Sequence, residues 1–236
     1  MKHTLILLVT LLGASLWAQT ENPAVKLTVL SLDSRILDLK YESAGEVKSL
    51  YAFKNKRSRS FMYRGAQAVV FFRELSQTDA AGNPLRQQVA QCQLPGNSRQ
   101  YMLIMSKRES EAEAYRCFAI DDNWGTFSAG TYRFLNLAPF TIALKLDDKV
   151  YEIKKQNFTD VSGNFEDGTH QQAMMVSLPE GEDPLPVFEG LIQYTENLRM
   201  LYIISPKPGG RVGRVNFTAI PQRVPKVPSS TPSSAQ

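Results

Sequence analysis

The residue types that most often carry out chemistry are scarce in this chain of 236 residues. His3 and His170 are its two histidines, and Cys92 and Cys117 are its two cysteines. A serine or cysteine nucleophile needs a neighbouring base, and a zinc site needs several nitrogen, sulfur or carboxylate ligands. His170 stands among Gly, Asp and Gln residues with no nucleophile motif around it. The sequence therefore predicts no catalytic residue, no metal site and no cofactor, and we do not expect an enzyme.

Carboxylates are the remaining groups that could act in catalysis or bind a metal. A glycosidase needs two of them flanking a sugar bond, and Glu166, Asp167 and the acids of residues 180–183 stand in predicted loops. The run 121–123 places oxygen ligands in a turn, but no acid closes a calcium loop at the expected distance. Solvated turn acids are far commoner than either site, so both remain minor alternatives.

Aromatic side chains concentrate around residues 121–134. Trp124, Phe127 and Tyr132 are candidates for ligand binding, because exposed aromatic rings stack on sugar rings. The same side chains could instead fill a hydrophobic core, since they are among the largest apolar groups. The sequence leaves both alternatives open.

Positive charge is in slight excess and is partly local. The net charge of +4 is too small to predict nucleic-acid binding. Lys54, Lys56, Arg57 and Arg59 lie close together in the sequence and form a candidate patch for an anionic partner, such as a cell-envelope polymer. A solvated loop between strands is the alternative.

Cys92 and Cys117 both fall on predicted strands of the first half. If the protein is exported, it meets oxidising conditions, and the sequence predicts a disulfide between these residues. Such a bridge would stabilise the fold by about 3 to 4 kcal/mol in the chain-entropy model. The aligned positions of the second half hold no cysteine, so the bridge would belong to the first half alone.

Short runs of alternating apolar and polar residues predict strands along most of the chain. Ile142, Leu144 and Leu146 alternate with more polar neighbours, which is the period of a strand with one buried face. About seven such runs in each half, separated by Gly, Pro, Asn and Asp, predict antiparallel β-sandwiches. The predicted fold class is therefore all-β, with two tandem immunoglobulin-like sandwiches.

The two halves also repeat each other. VLSLDSRILDLKY, residues 29–41, aligns without a gap with FLNLAPFTIALKL, residues 134–146. A constant order of further matches indicates an internal duplication. In chain order, these matches are Ala68 with Ala173, Tyr101 with Met200, and Ile120 with Ile220.

The N-terminus predicts export. Lys2, the apolar run Leu5–Leu12 and Ala18 have the pattern of a secretory signal peptide over residues 1–18, which is short for a membrane span. Removing it takes one basic residue and no acid, which leaves a net charge of +3. No later run is long and apolar enough to cross a membrane. We therefore expect a periplasmic or secreted protein.

The rest of the chain divides into two domains and a tail. We expect β-sandwich domains over residues 19–122 and 123–220. The short connection 121–130 indicates that these domains are in contact. Residues 221–236 are rich in Pro and Ser and predict a disordered tail.

The run TYRFLNLAPFTIALKLDDK carries an Arg-x-x-Asn-x-Ala-Pro start followed by an apolar strand and a turn. It resembles the opening of short β-sandwich modules found in uncharacterised secreted bacterial proteins. The first half departs from this pattern, with Ser31 and Ser34 in place of the Asn and Pro. The resemblance implies a sandwich fold and an envelope setting, without an established chemistry. The residues that carry it are Arg133, Asn136, Ala138 and Pro139.

The sequence thus predicts an exported, non-catalytic envelope or extracellular protein that binds or scaffolds a protein partner. Exposed strand edges and loops serve such binding without a dedicated pocket. The alternative is a carbohydrate-binding module that uses the aromatic residues near the connection. We expect no nucleic-acid partner and no transmembrane segment in the mature chain.

Overall fold

The computed structural model describes residues 24–108, 114–162 and 165–224. Within these ranges the chain forms β-strands and no helix, which confirms the all-β prediction. The first half contains β1 Val25–Ser31, β2 Ile36–Ser43, β3 Glu46–Ala52, β4 Phe61–Tyr63, β5 Ala68–Thr78, β6 Pro84–Gln93, β7 Gln100–Lys107 and β8 Tyr115–Asp121. The second half contains β9 Thr131–Asn136, β10 Thr141–Leu146, β11 Lys149–Ile153, β12 Asn157–Ser162, β13 His170–Leu178, β14 Leu185–Gln193, β15 Leu198–Pro206 and β16 Val215–Arg223.

Each half is a sandwich of two four-stranded sheets. In the first half the inner sheet has the order β4-β1-β7-β8 and the outer sheet the order β3-β2-β5-β6. In the second half the inner sheet has the order β12-β9-β15-β16 and the outer sheet the order β11-β10-β13-β14. Each inner sheet includes one parallel pair, β1 with β7 and β9 with β15. The two halves therefore have the same connectivity, strand for strand.

The pairing registers follow the sequence repeat closely. Val29 lies opposite Leu103 in the first inner sheet, and Phe134 lies opposite Tyr202 in the second. The alignment matches Val29 with Phe134, and its later block matches Leu103 with Tyr202. Independent parts of the repeat thus agree on one structural superposition.

The alignment is out of register on β5. Tyr41 lies opposite Phe71, and its counterpart Leu146 lies opposite Ala173. The sequence match paired Ala173 with Ala68 instead. β5 is two residues longer than β13, and its pairing with β6 shifts register after Phe71. The apolar run of β13 can therefore be aligned with β5 at more than one offset.

Two strands were missed by the sequence pattern. β4 has only three residues, and β12 is largely polar and exposed. Neither run shows the alternation that predicts a strand, and each forms by pairing with β1 or β9 on an edge of its inner sheet. The sandwiches consequently have eight strands each.

Three hydrophobic clusters hold the structure together. One fills the first sandwich and one fills the second. The third, here called the central cluster, lies between the two inner sheets and joins Leu30, Met102 and Ile104 of the first half to Leu201 and Ile203 of the second. The short connection predicts domains in contact, and the central cluster forms that contact.

β7 shows how the sequence produces this arrangement. Tyr101, Leu103 and Met105 belong to the core of the first sandwich, whereas Met102 and Ile104 belong to the central cluster. Neighbouring side chains of a strand point to opposite faces. A strand covered on both faces is therefore a continuous apolar run, as YMLIM is, and all of its side chains are buried.

β16 extends the second sandwich further than the sequence predicts. The strand continues through Pro221 to Arg223, which lies opposite Leu198. Proline is tolerated there because β16 is an edge strand, where one side needs no N–H donor. The predicted signal peptide, residues 1–18, and the tail from residue 225 lie outside the described residues.

Across the ranges that the structure describes, no helix has the length and apolar character needed to span a bilayer.

Candidate functional site

The connection between the sandwiches is fixed by a buried polar network. Asp122 is fully buried. Its carboxylate accepts a hydrogen bond from Arg199 Nη2 at 3.0 Å and pairs with Arg57 through its other oxygen. Its backbone carbonyl accepts from Gln100 Nε2 at 2.9 Å and from Arg199 Nη1 at 3.1 Å. Since Arg57 and Gln100 belong to the first half and Arg199 to the second, this one residue is bonded to both.

Arg199 is also fully buried and is bonded through all of its nitrogens. Nη1 donates to the Phe127 carbonyl at 2.8 Å, and Nε and Nη2 donate to Gln222 Oε1 at 2.9 and 2.6 Å. Its guanidinium carbon lies 3.7 Å from the centre of the Trp124 ring. A desolvated cation–π contact contributes about 2 kcal/mol. Burial lowers the pKa of Arg199 to about 10, while Asp122 acts in the opposite direction, so the side chain stays charged at neutral pH.

Arg133 anchors the same connection from β9. Its guanidinium forms a bidentate pair with the Asp160 carboxylate, with both N–O distances at 2.7 Å. It also donates to the backbone carbonyl of Asp121 at 2.6 Å. The rings of Phe127 and Phe158 each lie 4.4 Å from its guanidinium carbon. The network is therefore a structural clamp in which Arg133 and Arg199 each pair with a carboxylate, and Arg57 shares that of Asp122.

The sequence contained a signal for these two arginines. Arg133 lies in the run TYRFLN, and Arg199 lies in the run LRMLYII. Both runs are mostly apolar and are buried on both faces. A charge in such a run must be paired within the protein, because burying an unpaired charge is very costly. The partners, Asp122 and Asp160, are distant in sequence and were found only in the structure.

The structure corrects the predicted aromatic site. Phe127 is fully buried and Tyr132 is 1% exposed, so neither ring can stack on a ligand. Phe127 contacts the two buried arginines, and Tyr132 belongs to the core of the second sandwich. Trp124 is partly exposed, and one of its faces is covered by Arg199.

The Tyr132 side chain is held by a tyrosine cluster. Its hydroxyl donates to the Gln193 carbonyl at 2.5 Å, and its ring lies edge to face with Tyr202 at 5.9 Å. Burial raises the pKa of Tyr202 to about 12. Burial, with smaller contributions from Tyr202 and Tyr194, also raises the pKa of Tyr132. Both hydroxyls therefore stay neutral in the folded protein at a pH where they ionise in the unfolded chain.

We expect the free energy of unfolding to fall as the pH rises from 10 to 12, because the unfolded state then loses protons that the folded state keeps. Over this interval, each of the two tyrosines should remove about 1 to 2 kcal/mol. Urea unfolding of Tyr202→Phe should show a smaller loss over this interval than the wild type. Tyr51→Phe, at a position 51% exposed, is the matched control. Equal pH dependence in the wild type and Tyr202→Phe would contradict the burial of this hydroxyl.

The Arg-x-x-Asn-x-Ala-Pro start of the second half also has a structural role. Asn136 is fully buried. Its Nδ2 donates to the carbonyls of Phe140 at 2.8 Å and Ile153 at 3.0 Å. Its Oδ1 accepts a hydrogen bond from the Ala138 N–H. Asn136 thereby fixes the turn from β9 to β10. In the first half the equivalent residue is Ser31, which is too short to make these bonds.

The predicted disulfide is wrong for this structure, because Cys92 and Cys117 are free thiols. The two side chains are hydrogen-bonded neighbours on β6 and β8 and pack in the first sandwich. Burial, together with the adjacent Cys92, raises the pKa of the Cys117 thiol well above its ordinary value. Since the thiolate is the reactive form, the geometry makes Cys117 a packing residue rather than a nucleophile.

The other candidates for chemistry are dispersed. His170 is exposed at the start of β13 rather than in a loop. Asp121 accepts from Asn123 N–H at 3.0 Å and from the Thr126 hydroxyl at 2.6 Å, so its oxygens serve the local turn. Among residues 24–108, 114–162 and 165–224, no three His, Cys, Asp or Glu side chains are grouped as metal ligands.

A groove opens at one end of the space between the two inner sheets. It has a volume of about 700 Å³ and lies where β1, β7, β9 and β15 end. Equivalent residues of the two halves line it, Leu32 with Leu137 and Ser106 with Ser205. We call it the interdomain groove, since neither half could form it alone.

Positive charge predominates among the described residues that line the interdomain groove. The one acid among its described lining residues, Asp33, accepts the backbone N–H of Lys107 at 2.6 Å. Within the described ranges, Lys54, Lys107, Arg116 and Lys207 form no ion pair, and all four residues are exposed. The described cations of the groove are Lys54, Lys107, Arg108, Arg116 and Lys207.

The predicted anionic-partner patch keeps three of its four residues on the surface and loses Arg57. Arg57 points inward: its side chain is 12% exposed and is paired with Asp122. Lys54, Lys56 and Arg59 are exposed, but only Lys54 lines the groove among them. The basic surface is thus assembled from cations distant in sequence rather than from one local run.

These features define the class of the protein as an all-β protein of two β-sandwiches whose inner sheets pack against each other. No protein-family model matches the chain, and a search of curated proteins found no match. The resemblance of residues 131–149 to secreted β-sandwich modules, and the immunoglobulin-like assignment, therefore stay predictions.

Proposed function

We propose that this chain is an exported, non-catalytic protein of the cell envelope or the extracellular space that binds or scaffolds a protein partner. The observation that carries the proposal is the interdomain groove, which is built from both halves. Four of its exposed cations form no ion pair within the described ranges: Lys54, Lys107, Arg116 and Lys207. The central cluster and the Asp122 network fix the two halves relative to each other. A preorganised surface of this kind lowers the entropic cost of association.

Two parts of the proposal, that the protein is exported and that it is not an enzyme, rest on the sequence. The signal-peptide pattern of residues 1–18 supports a periplasmic or secreted location. The scarcity of histidine and cysteine supports a binding role, because most acid–base and nucleophilic mechanisms depend on these residues.

A carbohydrate-binding role is the second candidate, and the packing of the aromatic rings weakens it. Of the three predicted aromatic residues, only Trp124 has exposed surface. In the groove, Phe217 is stacked on Tyr202 at 5.0 Å and contacts Phe188 at 4.7 Å, and Phe118 packs against the central cluster. Rings engaged in this way are poorly placed to stack on a sugar.

Site-specific photocrosslinking in the cells that make this protein tests the proposal. A photoreactive phenylalanine analogue at Pro208, an exposed residue of the groove, should yield a discrete adduct with another protein. The same analogue at Leu191, on an outer sheet and 66% exposed, is the control and should yield none. Absence of a protein adduct at Pro208, together with glycan binding that Trp124→Ala abolishes, would replace the proposal with the carbohydrate-binding candidate.

A further inference from the structure

We propose that the interdomain groove binds an extended acidic segment of the partner protein, one in which Asp or Glu side chains alternate with apolar ones. This inference rests on the proposed function and adds the chemistry of the ligand. Three features of the groove support it: its charge, the state of its cations and its apolar floor.

The charge of the groove is the first feature. Five cations and one acid are found among its described lining residues, and the acid already accepts a backbone N–H. The cations come from the loop after β3, from β7 and β8, and from the end of β15. A site surrounded by one sign of charge attracts the opposite sign and raises the rate of association.

The second feature is that cations of the groove lack the ion pairs that the buried arginines of this protein make. Arg133 and Arg199 are buried and fully matched, each by a carboxylate and by backbone carbonyls. By comparison, Lys54 and Lys207 are exposed lining residues of the groove, one from each half, and have no ion pair within the described ranges. Lys54, Lys107, Arg116 and Lys207 are therefore available to a ligand, whereas the buried arginines serve the fold.

The floor of the groove is the third feature. Leu32, Phe118 and Leu137 line the groove, are partly buried and pack against the central cluster, so we call them its floor. An extended peptide places successive side chains on opposite sides, so apolar residues could reach the floor while acidic residues reach the rim. A neutral polysaccharide would instead need free aromatic faces, and the rings of Phe118 and Phe217 are already packed.

Fluorescence anisotropy with a labelled peptide of alternating glutamate and valine tests the inference on the full chain. We expect binding at about 50 mM salt that weakens about tenfold at 500 mM, because rim charges are screened. The same peptide with glutamine in place of glutamate should bind at least about tenfold more weakly, since each exposed ion pair contributes about 0.2 to 1 kcal/mol.

A matched pair of double variants locates the binding. Lys54→Glu with Lys207→Glu reverses one groove charge from each half and should weaken peptide binding about tenfold or more. Lys145→Glu with Lys149→Glu makes the same change of net charge on the outer sheet of the second half and should alter binding less than about twofold. If the first variant unfolds, Lys107→Gln with Arg116→Gln removes two other groove charges without reversal and should still weaken binding.

Several results would overturn the inference. If the two double variants weakened peptide binding equally, the peptide would be attracted by the net charge of the protein rather than bound at the groove. Tighter binding of a sulfated oligosaccharide than of the acidic peptide, with the same dependence on Lys54 and Lys207, would assign the groove to a glycan. A protein adduct at Pro208 without binding of the acidic peptide would overturn the ligand chemistry and leave the proposed function standing. Absence of an adduct at Pro208 would count against the proposed function, whichever peptide binds in solution.

Discussion

Replacing Asp122 by asparagine should lower the free energy of unfolding by about 3 to 5 kcal/mol, the cost of removing one partner from a buried ion pair. The Asp122 side chain is 1% exposed and compensates Arg199, which is fully buried, and Arg57, which is nearly so. Asparagine keeps the shape of the side chain but leaves both guanidinium groups without this countercharge. Denaturation by guanidinium chloride measures the loss.

Asp148→Asn is the matched control for this experiment. It makes the same chemical change at an exposed position in the turn between β10 and β11. We expect its effect to stay within about 0.5 kcal/mol, as for most surface substitutions. A loss of less than about 1 kcal/mol in Asp122→Asn would contradict the role of Asp122 as the charge that binds the connection to both halves.

The second large effect concerns the central cluster. Leu201→Ala should lower the free energy of unfolding by about 2 to 5 kcal/mol, because the truncated side chain leaves a cavity between the two inner sheets. Leu201 is fully buried in that cluster on β15. Urea unfolding, followed by circular dichroism, measures the change.

Leu191→Ala removes the same atoms from a residue that is 66% exposed on β14. Since this side chain is largely in water in both states, we expect a change below about 0.5 kcal/mol. Similar small losses for Leu191→Ala and Leu201→Ala would mean that the inner sheets do not bury each other in solution.

Much of the fold was predictable because its signals are local. Alternation of apolar residues and the turn residues between runs mark most strands, and the alignment of Tyr101 with Met200 follows the observed register of the inner sheets. The continuous apolar run of β7 is typical of a strand covered on both faces, which the central cluster explains. β4 and β12 were missed because their formation depends on a neighbouring strand rather than on their own pattern.

The functional candidates were harder to predict because they depend on contacts between distant residues. Phe127 and Tyr132 were indistinguishable from exposed stacking residues until the buried arginines and the tyrosine cluster were seen around them. Arg57 belongs to a basic run in the sequence, yet its partner is Asp122, 65 positions away. The groove gathers Lys54 with Lys207, which lie in different halves of the chain.

Two halves that share a core should unfold as one body, and differential scanning calorimetry of the full chain is the most direct test of the shared core. We predict a single endotherm with a ratio of calorimetric to van't Hoff enthalpy of about 1. The central cluster and the Asp122 network join both sandwiches, so unfolding of one sandwich removes contacts that stabilise the other. Two separate endotherms, or a ratio well above 1, would show that the sandwiches unfold independently. That result would contradict the packing of the inner sheets and, with it, the interdomain groove.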